Sequence, residues 1–215
     1  KEQELETLKQ NIILNEFKSC TETKKLSDVC IIRNGGTPDT KNKLYWGGKV
    51  QWLTPRDMGK LSSPHIDSTR RQLTEEGLKN SSANLIPENS IILSCRAPIG
   101  YLVINSEPMS FNQGCKGLTP KPELLTQYLY YFLWSSKKLL NDLGSGTTFK
   151  EISSKTLSNV SIDVTSLAEQ KRIVNKFNLI FDEIEKIHKI NEKQIENYTA
   201  LKSAIIKEQL KDKAA

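Results

Sequence analysis

Lysine and arginine side chains are concentrated in one segment of this chain, and they suggest the chemistry to look for first. From Arg33 to Arg71 the chain carries eight basic residues and three acids, a net charge of +5. Ammonium and guanidinium groups bind phosphate oxygens, so such an imbalance is typical of a surface that binds a polyanion. A solvated surface with scattered cations is the alternative explanation for some of these residues.

Catalytic groups show no comparable pattern. The loop Gly144–Lys150 offers amides, hydroxyls and a cation to a phosphate, but a glycine after a helix is also an ordinary helix end. Asp57 with Glu75 or Glu76 could act as acid and base, yet their spacing does not bring them together. The sequence has no nucleophile-elbow serine and no phosphate loop ending in Gly-Lys-Ser/Thr. We therefore expect no catalytic centre in this chain.

Metal ligands are also poorly represented. The two histidines, His65 and His188, do not form a ligand pair, and the four cysteines lie too far apart for a paired zinc pattern. We expect no metal site, and we expect the cysteines to be buried free thiols. They are Cys20, Cys30, Cys95 and Cys115.

Length and composition predict one globular domain with helical extensions. The 215 residues, 37% of them hydrophobic, can bury one core. The net charge of +6 and the pI of about 9.0 agree with a polyanionic partner. No apolar run reaches the length of a membrane span, and the start does not resemble a secretory signal. We expect a cytoplasmic protein without membrane contact.

Short strands separated by turn residues characterise the middle of the chain. They are rich in Val, Ile and aromatic residues and are predicted at Leu26–Arg33, Val50–Thr54, Ser90–Arg96, Tyr101–Asn105 and Val160–Val164. One helix, Leu124–Leu143, lies within this region, and its aromatic residues are expected in the core. The predicted class is α+β, with an irregular mixed sheet.

The C-terminal end carries an unbroken heptad pattern. Ser166, three residues before Glu169, predicts the helix start. From Leu167 to Lys211 the helix would extend roughly 65 Å, and its narrow stripe predicts lengthwise pairing with another helix. The predicted interface positions, here called the seam, are Ile173, Phe177, Ile180, Ile184, Ile187, Asn191, Gln194, Tyr198, Leu201 and Ile205.

A shorter N-terminal helix, ending at Phe17 before a polar break at Thr21–Lys25, could cover less than half of the seam. A hairpin of the two helices within one chain therefore stands as the alternative to pairing with another chain. The predicted organisation is an N-terminal helix and linker at 1–25, a globular domain at 26–165 and a coiled-coil helix at 166–215.

Several short motifs, in a fixed order, resemble the specificity subunits of type I restriction-modification systems. The first are Gly35-Gly36-Thr37-Pro38, Tyr45-Trp46-Gly47-Gly48 and Trp52-Leu53-Thr54-Pro55-Arg56-Asp57. The next are Leu73-Thr74-Glu75-Glu76-Gly77-Leu78, Asn80-Ser81-Ser82-Ala83, Ser94-Cys95-Arg96-Ala97-Pro98-Ile99-Gly100 and Asn112-Gln113-Gly114-Cys115-Lys116-Gly117-Leu118. The last are Gly144-Ser145-Gly146-Thr147-Thr148-Phe149 and Glu169-Gln170-Lys171-Arg172-Ile173-Val174.

The resemblance implies a non-catalytic target-recognition domain that reads double-stranded DNA for a larger enzyme. Modification subunits with S-adenosylmethionine and a restriction or motor subunit with ATP and magnesium would be its partners, with no cofactor in this chain. In such a domain cations on phosphates give affinity, and a few side chains give base choice. The predicted DNA contacts are Lys41, Lys43, Lys49, Arg56, Lys60, Arg70 and Arg71, with Gln51, Lys116, Thr147 and Lys150 as weaker candidates. Arg96 is interpreted equally as a buried structural cation or as a reader.

A full specificity subunit resembles two such units in tandem, whereas each motif occurs once here. Two possibilities follow: a half subunit that dimerises through the seam on a bipartite site, or a fragment of the tandem form. Two other functions stay open, namely a coiled-coil adaptor without DNA contact and a small transferase with an unrecognised site.

Overall fold

The computed structural model describes residues 2–17, 22–61, 63–96, 98–146 and 150–212. Its helices are α1 (Glu2–Phe17), α2 (Leu26–Val29), α3 (Pro55–Met58), α4 (Glu75–Lys79), α5 (Thr126–Ser135), α6 (Lys137–Leu143), α7 (Ser154–Ser158) and α8 (Leu167–Asp212). Its strands are β1 (Glu22–Lys25), β2 (Cys30–Asn34), β3 (Trp46–Leu53), β4 (His65–Ile66), β5 (Arg71–Leu73), β6 (Ile91–Ser94), β7 (Leu102–Asn105), β8 (Met109–Phe111), β9 (Cys115–Pro120) and β10 (Ser161–Val164). A 3-10 turn occupies Lys43–Tyr45.

The strands form three small sheets. A five-stranded sheet has the order β2-β9-β6-β7-β4, a three-stranded sheet has the order β5-β3-β8, and β1 pairs with β10. Most pairs are antiparallel, but β3 with β8 and β4 with β7 are parallel. The predicted α+β class with an irregular mixed sheet and a long C-terminal helix is therefore confirmed.

One hydrophobic core lies between the two larger sheets. All four residues of β6 are buried, so this strand lacks the alternation of buried and exposed side chains that is typical of a strand with one solvated face. One core cluster brings Leu53 of β3, Ile92 of β6 and Phe111 of β8 together, each with no exposed surface. The two sheets that carry the basic segment are thus fixed to each other by apolar packing.

Two predicted elements have different structures. The predicted strand Leu26–Arg33 begins instead as one helical turn, because Leu26 and Val29 are both buried at helical spacing. The predicted helix Leu124–Leu143 is two helices, α5 and α6, with Ser136 between them. Two of its aromatic residues, Tyr128 and Phe132, belong to the core as predicted, because their side chains are only 0% and 8% exposed.

The N-terminal helix α1 packs on α5. Phe17 lies edge-on to Tyr128, with ring centroids 4.7 Å apart, and Ile13 is fully buried. The predicted polar break contains a strand, β1, whose register with β10 places Thr23 opposite Asp163. The segment after α1 is therefore joined to the globular part by backbone hydrogen bonds.

The long helix α8 has 46 residues, and its predicted start is confirmed. Ser166 Oγ accepts a hydrogen bond from the Glu169 amide at 3.3 Å, although the Glu169 carboxylate pairs with Arg172 instead of completing a capping box. Gln170 has no exposed surface, and its amide group makes hydrogen bonds of 2.8 to 2.9 Å with the backbone of Leu125, Glu123 and Thr165. These bonds anchor the first turns of α8.

The chain divides into two compact units, Lys1–Val174 and Asn175–Ala215. The domain boundaries at residues 25 and 165 that the sequence suggested remain a prediction. Ile173 and Phe177 are 1% and 0% exposed, so these two predicted interface residues are already buried within the chain. Further along, the seam is open. Ile187 and Leu201 are each 57% exposed and Tyr198 is 72% exposed.

Apolar residues of α8 also lie beside the seam. Leu179, Ile190 and Ile195 are 68%, 57% and 54% exposed, and Ile206 is 45% exposed. At about 100° per residue these positions widen the stripe well beyond the narrow seam of a two-stranded coil. No helix in the described ranges is both long and apolar enough to cross a membrane.

Candidate nucleic-acid interface

The basic segment forms an exposed surface on the loop after β2, on β3, and around α3 and β5. The cations with exposed side chains are Arg33, Lys41, Lys43, Lys49, Arg56, Lys60 and Arg70. None of these seven takes part in an ion pair with another described residue. Elsewhere, by contrast, Arg172 and Lys186 are paired with Glu169 and Glu183. The segment therefore has positive charge available for an external anion.

The three acids of the segment are engaged locally and do not neutralise these cations. Asp39 accepts the Lys41 amide at 2.9 Å, and Asp67 accepts the Ser68 hydroxyl. Asp57 and Thr54 cap α3 reciprocally, with Thr54 Oγ1 2.7 Å from Asp57 Oδ2. Asp57 thus has a structural role in capping α3.

Arg71 differs from its exposed neighbour Arg70. It begins β5, and its guanidinium carbon lies 3.5 Å from the centroid of the Trp46 ring and 5.2 Å from that of Trp52. The two indoles are T-shaped, with centroids 5.0 Å apart, and the Trp52 N–H donates to the Gly36 carbonyl at 3.0 Å. A guanidinium stacked on an indole keeps the N–H groups at its edge free to donate. The sequence placed both arginines in a polar stretch, but only Arg71 is held in a fixed position.

Gln51 is also oriented. Its Oε1 accepts a hydrogen bond from the amide of Thr69 at 2.8 Å. The Thr69 hydroxyl, which accepts the Trp52 amide at 3.0 Å, lies 2.8 Å from the same Oε1 and 2.6 Å from the Arg71 carbonyl, and its one proton is donated to either oxygen. Because the oxygen of the carboxamide is used internally, its NH₂ group is directed away from Thr69. The register pairs Gln51 with Gln72 and Trp52 with Arg71, so Gln51 and Arg71 lie on neighbouring antiparallel strands with their side chains on opposite faces of the sheet.

The weaker predicted contacts have diverse positions. Lys116 is only 5% exposed, and this burial argues against a direct contact of its side chain with DNA. Lys150 is exposed, and Thr147 lies outside the described residues. Arg96, interpreted as a buried cation or a reader, is neither buried nor unpaired, because its Nε lies 2.9 Å from Glu151 Oε2 and both side chains are partly exposed.

Thiol chemistry is suppressed in the described core. Cys30, Cys95 and Cys115 are free and buried, as expected, whereas Cys20 lies outside the described residues. Burial raises the pKa of Cys30 and of Cys95 to about 12, and it raises that of Cys115 as well. Among the described residues no group of three His, Cys, Asp or Glu could hold a metal ion.

The family model for the type I restriction modification DNA specificity domain matches residues 19–197. The chain belongs to this family. A type I restriction enzyme specificity subunit of Methanocaldococcus jannaschii, MjaIX, is 37% identical over 174 residues, which are 80% of this chain and 40% of that protein. The EcoR124I/EcoR124II specificity subunit of Escherichia coli is 34% identical over 195 residues, 84% of this chain and 47% of that protein. The chain thus spans less than half the length of these relatives.

Solved structures have the same fold. The HsdS subunit of Thermoanaerobacter tengcongensis aligns with a TM-score of 0.67 at 22% identity, over 86% of this chain and 45% of that one. A chain from a study of complex assembly in a type I restriction-modification system aligns with a TM-score of 0.71 at 23% identity, over 86% and 46%.

Proposed function

We propose that this chain is a non-catalytic DNA-recognition component of a type I restriction-modification system. The observation that carries the proposal is the match of the specificity-domain family to residues 19–197, in a chain whose relatives are named as specificity subunits. Modification subunits would supply the methyl transfer from S-adenosylmethionine. A restriction subunit would supply ATP-driven translocation and cleavage.

The uncompensated cations of the basic segment support DNA as the ligand. Lys41, Lys43 and Lys49 are exposed and unpaired among the described residues, so each can neutralise a phosphate without first breaking an internal ion pair. Arg71, stacked on Trp46, and Gln51, hydrogen-bonded to Thr69, are oriented donors of the same segment on opposite faces of its sheet. An immobilised donor pays less entropy on binding and discriminates between base edges more sharply than a mobile one.

The open seam supports assembly through α8. Exposed apolar side chains such as Ile187 and Leu201 are costly in water unless another helix covers them. If two copies pair antiparallel, their reading surfaces are related by a two-fold axis and recognise a bipartite site with inverted repeats. Assembly of the same chain without DNA contact would leave the uncompensated cations without a role.

Selection from a random duplex pool tests this function. The chain, with and without a modification subunit, is incubated with the pool at low and high salt, and the bound fraction is sequenced. We expect one enriched motif and an affinity that falls steeply with salt, because phosphate contacts release counterions. An unenriched pool at both salt concentrations and with the modification subunit present would refute DNA recognition.

A further inference from the structure

Asn34, the last residue of β2, has an unusually well-defined side chain for an exposed position. It lies opposite Lys116 in the register of β2 with β9. Its Oδ1 accepts hydrogen bonds from Lys116 Nζ at 3.0 Å and from the Ser154 hydroxyl at the start of α7. An ammonium group can only donate, so its partner must be the oxygen of the carboxamide. The NH₂ group of Asn34 therefore faces the other way.

The cation behind Asn34 has no counter-ion among the described residues. Lys116 is 5% exposed, and its hydrogen-bond partner among the described residues is the neutral Asn34. The neighbouring thiols do not supply a negative charge, since burial raises the pKa of Cys95 to about 12. A mostly buried ammonium without a direct counter-ion generates a positive potential that solvent screens weakly. This potential polarises the carboxamide so that its exposed N–H groups become stronger donors.

The backbone around Asn34 is held by hydrogen bonds and by a close approach to a neighbouring chain segment. Its carbonyl oxygen accepts from Asn84 Nδ2 at 3.0 Å, and the next residue, Gly35, donates its amide to the Cys115 carbonyl at 3.1 Å. A Cβ on Gly35 would lie 1.9 Å from the Asn112 carbonyl oxygen, so this close approach requires glycine. The exposed cation Arg33 directly precedes Asn34 and has no ion-pair partner in the described ranges.

From this geometry we infer that Asn34 donates a hydrogen bond to a backbone phosphate of the bound duplex, and that Lys116 and Ser154 are its positioning residues. The inference rests on the proposed function. It names a contact that a search for basic residues misses because the contacting side chain is neutral. It also gives Lys116, which is too buried to touch DNA, an indirect role in the same site.

The substitution Asn34→Asp separates the roles of folding and binding. Aspartate has the shape of asparagine and converts the hydrogen bond to Lys116 into an ion pair, so the melting temperature should stay equal or rise. The outward face changes from a donor to an acceptor with negative charge. Gln127→Glu, an exposed position in α5, adds the same charge as a control.

We expect Asn34→Asp to bind every duplex more weakly, by tenfold or more at low salt, and to lower the slope of log affinity against log salt by about one. The base preference should be unchanged. Asn34→Ala, measured in parallel, should also bind every duplex more weakly but keep the wild-type salt slope, because a neutral carboxamide releases no counterion. Its melting temperature should fall, because Lys116 loses its partner. Gln127→Glu should bind as the wild type does.

Wild-type binding by both Asn34 variants would overturn the inference while leaving DNA recognition intact. Relaxed preference at one base pair would also overturn it, because that result assigns Asn34 to a base edge. If the wild-type chain itself selects no motif, the proposed function fails, and the inference fails with it.

Discussion

Arg71→Ala should relax the base preference of this chain, whereas Arg70→Ala should not. The two residues are adjacent and carry the same charge, but only Arg71 is stacked on Trp46, at 3.5 Å from the ring centroid. An arginine that donates two hydrogen bonds to a guanine discriminates by about 1 to 3 kcal/mol, roughly 5- to 150-fold. The expected result for Arg71→Ala is a loss of this order at one base pair, with nonspecific binding nearly unchanged.

Removing the stack should cost part of the same discrimination. Arg71 is partly exposed, so the free energy of its cation–π contact with Trp46 should fall between the values for exposed and for desolvated pairs, at about 1 kcal/mol. Trp46→Leu should therefore reduce the preference about fivefold. The double variant Trp46→Leu with Arg71→Ala should be no less selective than Arg71→Ala alone, because both changes remove one contact.

Competition binding with duplexes that differ at single positions of the selected motif measures these effects. Arg70→Ala is the matched control and should weaken all duplexes alike. Equal effects of Arg70→Ala and Arg71→Ala on the motif would contradict the reasoning, as would an additive loss in the double variant.

Three further results are expected. Leu201→Glu should shift a self-associated chain toward the monomer in sedimentation velocity, because pairing would bury the new charge in the seam. Ala200→Glu, which lies outside the apolar stripe, should not cause this shift. Equal sedimentation of both variants would argue against pairing through the seam. Gln170→Ala should reduce the free energy of unfolding by about 2 to 4 kcal/mol in urea titrations, because three backbone hydrogen bonds lose a buried partner, and a loss below about 1 kcal/mol would contradict this role. Cys30 and Cys95, whose pKa values are about 12, should stay protonated and unreactive toward a thiol reagent at pH 8 in the folded chain but should react in denaturant. Because these thiols ionise first in the unfolded chain, their contribution to the free energy of unfolding should fall as the pH rises above 9.0. Rapid labelling of both thiols in the native state would contradict their raised pKa.

Sequence patterns were sufficient where one physical effect dominates. The heptad steps and Ser166 identified α8, and its first residues follow the predicted start. The charge imbalance around Lys41 and Lys49 identified exposed cations, because ionised side chains without partners stay in water. The class α+β followed from short strands with turn residues between them.

Predictions failed where tertiary contacts decide. Leu26 and Val29 suit a strand by residue type, but both are buried on one side of a helical turn. The burial of Lys116 depends on the register of β2 with β9, which no local pattern contains. Arg70 and Arg71 look equivalent in the sequence, and the contact with the distant Trp46 that distinguishes Arg71 depends on the pairing of β3 with β5.

Asn34 shows why neutral contacts are missed. A search for cations does not select an asparagine, and its orientation depends on Lys116 and Ser154, which lie 82 and 120 residues further along the chain. The signal that could have identified it is weak: a polar residue at a strand end, directly after Arg33 and before the glycines at 35 and 36.

The most direct test of DNA recognition is methylation mapping in cells that carry a modification subunit and only this specificity chain. The expected result is N6-methyladenine confined to one bipartite motif with inverted repeats. It should disappear when the chain is deleted and relax at one base pair in each half with Arg71→Ala. Methylation that is unchanged by deletion of the chain would contradict the account.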